Sequence, residues 1–137
     1  MKIFDIKNSL FGAKVNFVDK NNVVVGYDLS QGCCEDADYF ITTSMDNTIK
    51  ESVDTKKANK VQLDAEDLEE YVFDKGAFMD ITDSFKDLGA GGAVAFTLIA
   101  DNKPNLYLVL YNSHNGYYGH GFTVEISGKK IMEDQYL

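Results

Sequence analysis

Val15-Asn-Phe-Val18, Asp19-Lys-Asn-Asn22 and Val23-Val-Val-Gly-Tyr27 set two β-branched runs on either side of a polar four-residue turn. Valine and aromatic residues suit a pleated, half-buried surface, and asparagine tolerates the left-handed backbone that tight turns require. The stretch predicts a β-hairpin.

Outward from it the pattern repeats. Ala93–Ile99 and Leu106–Tyr111 are two further strands around a turn at Asp101–Asn105, which holds the chain's one proline. Leu106, Leu108 and Leu110 share one face of the second of these. Phe122–Ile126 predicts another strand, and Ser127-Gly-Lys-Lys130 turns into a last short strand around Ile131 and Met132. Lys2–Ile6 reads as a short edge strand and Tyr39–Thr43 as a further one.

A helix is expected from Asp64, an N-cap residue followed by acidic residues in the first turn, where the helix dipole favours them. Leu68, Tyr71 and Val72 supply its apolar stripe, and Gly76 should end it. Phe78–Ile81 is apolar but fits either type. Ser44–Lys60 is polar and aperiodic, and reads as a long connection.

The expected class is β-rich α+β, an antiparallel sheet or small sandwich or half-barrel with one short helix. A length of 137 residues suits one domain, 1–137, with a single modest core.

The charge is one-sided. All thirteen cationic residues are lysines and the formal net charge is −9. Residues 1–60 hold eight Lys against nine acids, whereas 61–137 hold five against thirteen. A polyanion would be repelled, and there is no arginine for bidentate phosphate or base contacts, so direct nucleic-acid binding is not expected. There is no run of about 18 apolar residues, and the early Asp5 with no apolar run near the N-terminus leads to the expectation of no signal peptide. These features predict a cytoplasmic protein with no membrane partner.

Two spots are dense in chemistry-bearing residues. Gly32-Cys33-Cys34-Glu35-Asp36 holds both cysteines, and Tyr111–Phe122 holds both histidines, His114 and His120, with Tyr117 and Tyr118. Cys33, Cys34, His114 and His120 make the Cys₂His₂ set that zinc takes, but adjacent cysteines diverge, where zinc sites space them by about two to four residues. Two free thiols in a reducing cytosol are the simpler expectation. A Cys–His nucleophile pair fits the generic triad logic, although Glu35, Asp36 and Asp38 would raise a thiol pKa.

Gly89-Ala-Gly-Gly92 lacks the preceding strand and following helix of a phosphate loop and reads as a turn. Asp28, Ser30, Glu35, Asp36 and Asp38 offer oxygen ligands without EF-hand spacing. No cofactor is expected.

The Cys33-Cys34-Glu35 loop after a strand, with a late strand leading into Asn115-Gly-Tyr-Tyr118 and a final strand, resembles an uncharacterised family of small phage and bacterial proteins. The resemblance spans residues 13–43 and about 92–127. It implies a phage or prophage origin and carries over no activity.

The remaining candidate is the run Asp64–Asp87, with nine acids against Lys75 and Lys86. Asp64, Glu66, Asp67, Glu69, Glu70 and Asp74, with Tyr71, Tyr117 and Tyr118 as aromatic contacts, would form a surface steered to a basic partner. The expectation is a non-enzymatic acidic binding protein engaging a host protein, such as a nucleic-acid-binding complex, with anti-defence (anti-CRISPR-like) inhibition as one form. The alternatives are a small-molecule or metal-binding domain built from the Cys33-Cys34 and 111–122 loops, and a Cys/His enzyme.

Overall fold

The computed structural model describes residues 1–8, 12–30, 34–43, 64–85, 87–116 and 119–137. Among these residues nine strands form two antiparallel sheets. They are β1 (Lys2–Asn8), β2 (Gly12–Val18), β3 (Val23–Asp28), β4 (Asp36–Thr42), β5 (Val72–Asp80), β6 (Gly92–Ile99), β7 (Leu106–Ser113), β8 (Gly121–Ile126) and β9 (Lys129–Tyr136). One sheet has the order β1-β2-β3-β8-β9 and the other β4-β7-β6-β5.

The β2/β3 hairpin forms as expected, with Val15 opposite Tyr27 and Phe17 opposite Val25. Asn22 takes the left-handed conformation at φ 60°. Asp19 does more than turn the chain. Its buried carboxylate accepts the N–H groups of Asn21, Val23 and Phe73, each at 2.9 Å, and the last lies in β5 of the other sheet. Ser127 and Gly128, both at positive φ, close the β8/β9 hairpin in the twist that two-residue loops favour.

Period-two alternation turns one face of each sheet inward. Val15 and Phe17, Val25 and Tyr27, and Phe122 and Val124 meet Leu106, Leu108 and Leu110 and Val94, Phe96 and Leu98 in one buried cluster. Edge-to-face rings link the two sheets: Phe122 of β8 stands 5.2 Å from Phe78 of β5 and 6.2 Å from Phe96 of β6, both near perpendicular. A smaller cluster covers the far side of the four-stranded sheet, where Ile81, Phe85 and Leu88 lie on Ala93, Ala95, Val109 and Tyr111. That is why β7 is buried on both faces.

The helix departs from expectation. α1 covers only Ala65–Glu69, and the chain is in β5 from Val72 onward, so Tyr71 and Val72 are not helical. The N-terminal ammonium of Met1 donates to the carbonyls of Leu68 (2.6 Å) and Tyr71 (2.7 Å), filling acceptors at the end of α1. Tyr71 is buried, and its hydroxyl donates to the Pro104 carbonyl at 2.9 Å. The ambiguous Phe78–Ile81 stretch resolves as the end of β5 and the start of a 3₁₀ turn at Thr82–Ser84. β5 bulges between Phe73 and Phe78, with Lys75 at φ 58°, an irregularity common on edge strands. The connection 44–60 lies outside the described residues. No helix among the described residues is long and apolar enough to cross a membrane.

Candidate functional site

Two connections carry the chain from one sheet to the other at the same end of the molecule: β3 to β4 through 28–36, and β7 to β8 through 113–121. They contain the two dense spots, and the fold brings those spots together. His120 Nε2 lies 2.6 Å from Glu35 Oε2, with the two side chains only 4% and 3% exposed. His120 Nδ1 lies 2.7 Å from the Asp28 carbonyl. A carbonyl oxygen only accepts, so Nδ1 carries a hydrogen, and Nε2 and the Glu35 carboxyl share one further proton. His120 also exchanges backbone hydrogen bonds with Leu137, at 3.1 and 3.0 Å.

Beside this pair, Tyr27 donates its hydroxyl to the Tyr111 carbonyl at 2.7 Å, again joining β3 to β7. Burial pushes both the Tyr27 and Tyr111 phenols up from their ordinary value, with acids of this end adding to the shift. Burial, then Asp38, pushes the Asp36 carboxyl up in the same way.

What the junction can do chemically follows from these partners. Both nitrogens of His120 are engaged and sealed from solvent, leaving no lone pair for a substrate proton or a metal. Cys34 is in a disulfide, which corrects the expectation of a free thiol there and removes it as nucleophile or metal ligand. The chain's other cysteine, Cys33, lies outside the described residues. His114 is held apart from this network. Its Nδ1 accepts the Gly116 N–H at 2.9 Å, and its backbone pairs with Leu88 and Ala90. Among the described residues no group of three or more His, Cys, Asp or Glu is placed to hold a metal. Asp28 accepts from the Ser30 N–H and hydroxyl and Asp38 from the Tyr39 N–H, local turn bonds in the acidic loop.

The glycine turn 89–92 is structural. Gly91 lies so close to Asn112 that an added Cβ would meet its carbonyl oxygen at 1.8 Å. The Ala90 N–H is spent on His114. No phosphate cradle remains there.

The acidic run is a different kind of place. Asp64, Glu66, Asp67, Glu69, Glu70 and Asp74 are all exposed. Lys2 lies 3.5 Å from Glu69, and Lys103 lies 2.6 Å from Glu70 and 4.0 Å from Asp67. The Lys103 contact holds the Glu70 carboxyl below the usual carboxylate range. Five carboxylates on 64–70 against these two lysines leave a local net of −3. Exposed pairs of this kind add little stability.

Against α1 lies a cavity of about 430 Å³, lined by Met1, Lys2, Ile3 and Phe4 at the β1 end and by Ala65, Leu68 and Glu69. Phe4 and Ile6, on edge strand β1, are 49% and 46% exposed. Tyr71, expected as an aromatic contact of this surface, is instead part of the core. Phe73 is buried too and Phe78 packs against the core, because the bulge between them shifts the register of β5 and turns both rings inward. Tyr117 and Tyr118 lie outside the described residues. The apolar contacts that sequence reasoning missed, Ile3, Phe4 and Ile6, carried one available signal: apolar alternation in a strand expected at a sheet edge.

The family profile for a domain of unknown function, DUF7448, matches residues 2–124. The chain belongs to that family. The DUF7448 match begins in β1 and ends in β8, so it includes both crossing connections and the acidic run. The chain matches no curated protein and no solved structure.

Proposed function

We propose that this DUF7448 protein is a non-enzymatic binding protein that docks a basic protein surface on its α1–β1 face. The observation that carries the reading is an apolar cleft, walled by Ile3, Phe4 and Leu68, set against a helix whose exposed side is acidic. A central apolar anchor with a charged rim is how most interfaces divide their energy, the anchor giving affinity and the rim giving approach rate and orientation. Edge strand β1 adds exposed backbone against which an extended segment could pair.

A host protein that binds nucleic acid fits this chemistry, because its lysine- and arginine-lined groove complements a chain of net charge −9. A phage or prophage origin and inhibition of a bacterial defence complex belong to this proposal, supported by acidity and the phage-like resemblance. So does a cytoplasmic site of action. In contrast to the metal-site and Cys–His enzyme alternatives, the reading needs none of the groups sealed at the crossing connections.

The test is affinity capture from bacterial lysate at low and moderate salt, comparing the native chain with a variant carrying Glu66→Gln, Asp67→Asn and Phe4→Ala. Loss of one stoichiometric, salt-sensitive partner in the variant supports docking on this face. An identical set of partners in both chains rejects it.

A further inference from the structure

On the outward face of the five-stranded sheet, one glycine lies inside β3 and another opens β8. Gly26 sits among Val23, Val24, Val25 and Tyr27, and Gly121 begins β8. Neither position is among the chain's positive-φ residues, so no turn requires glycine there. A glycine inside a strand is a cost to stability and marks a close approach to the backbone; Gly26 is buried, and what closes over it is a set of neighbouring side chains.

The neighbours of Gly26 are polar and share its face. Asn16 on β2 and Thr123 on β8 are its direct cross-strand partners. A Cβ added at Gly26 would meet the Asn16 and Thr123 side-chain oxygens at 3.0 Å and the Lys14 stem at 3.1 Å. Lys14 is paired in turn with Asp28. Opposite Gly121 stands Tyr136, 66% exposed, whose ring atoms lie 3.5 Å from where a Gly121 Cβ would be. Lys14, Gly26, Asp28, Gly121, Thr123 and Tyr136 line an open cup of about 320 Å³. That volume is at the small end for ligand sites.

We infer that this cup binds a small neutral polyhydroxylated ring, a single sugar unit. Tyr136 offers a rigid exposed ring against which the apolar face of a pyranose can lie. Lys14 donates, Asp28 accepts and Thr123 does both, matching hydroxyls that each donate and accept. A lysine and an aspartate on the same wall leave the cup without a single sign of charge, which disfavours an anion or a cation. The site is separate from the α1–β1 face and independent of the function proposed for it.

The test is a titration of the full-length ¹⁵N-labelled protein with methyl glucoside, methyl galactoside and methyl mannoside at millimolar concentrations, read by amide chemical shifts. The expected result is saturable shifts for at least one sugar, confined to residues 13–16, 26–28, 121–123 and 136. Tyr136→Ala should weaken binding about three- to tenfold, and Thr123→Val should weaken it separately. Both changes should leave the rest of the spectrum superimposable, which distinguishes lost binding from lost folding. No saturable shift with any of the three sugars overturns the inference. So does binding that both variants leave unchanged, or tighter binding of glycine or acetate in the same cup.

Discussion

The crossing junction and the α1–β1 face both carry charged and polar side chains, yet these have opposite fates. At the junction His120 is held by Glu35 and Asp28, and the Tyr27 hydroxyl by the Tyr111 carbonyl. On the α1–β1 face five carboxylates share two lysines in open solvent beside exposed apolar side chains. Reactive residue types are therefore a poor guide to function here. What separates the two regions is whether the fold has consumed the groups or left them available.

The difference can be broken most forcefully at the junction. His120→Ala leaves the Glu35 carboxylate buried without its imidazole partner and should cost about 3–5 kcal/mol, read as a lower urea midpoint. A shift under about 1 kcal/mol would mean that the pair is not structural. Asp19→Ala strands up to three backbone N–H groups, one of them in the opposite sheet, and should cost about 2–4 kcal/mol by the same measurement.

Tyr27→Phe removes only the bond to the Tyr111 carbonyl and should cost about 1 kcal/mol. It also sharpens the pH response. The Tyr27 and Tyr111 phenols are pushed up in the folded chain, so the native state holds their protons more tightly than the unfolded state does. Their contribution is complete below the ordinary phenol value and is lost as pH rises above about 10. Urea midpoints measured from pH 9 to 11 should fall, and Tyr27→Phe should flatten that fall. On the open face the effect should be smallest: Glu66→Gln with Asp67→Asn should change stability by less than about 0.5 kcal/mol. A larger loss would place these carboxylates in the folding energetics rather than in binding.

Much of the architecture is legible from local pattern. The hairpins β2/β3, β6/β7 and β8/β9 follow from period-two apolar runs around turn residues, and all three form. Leu68, Tyr71 and Val72 misled because i, i+3, i+4 spacing also suits a buried residue followed by a strand entry. The Met1 ammonium that takes the Leu68 and Tyr71 carbonyls leaves no sign near residue 70. Glu35 and His120 are 85 positions apart, and only the two sheet crossings bring them together. Asp19 was readable as a turn residue, but its bond to Phe73 depends on the packing of one sheet on the other. The acidity of 64–74 was legible and its exposure holds, whereas the apolar half of that face lies in β1, more than 50 residues away.

The most direct test of the account is partner capture with three chains side by side: native, Glu66→Gln/Asp67→Asn/Phe4→Ala, and Tyr136→Ala as a control on a remote face. The account predicts one salt-sensitive protein partner held by the native and Tyr136→Ala chains and lost by the triple variant, with all three chains equally folded. Retention of that partner by a folded triple variant would contradict the claim that the α1–β1 face is where this protein works.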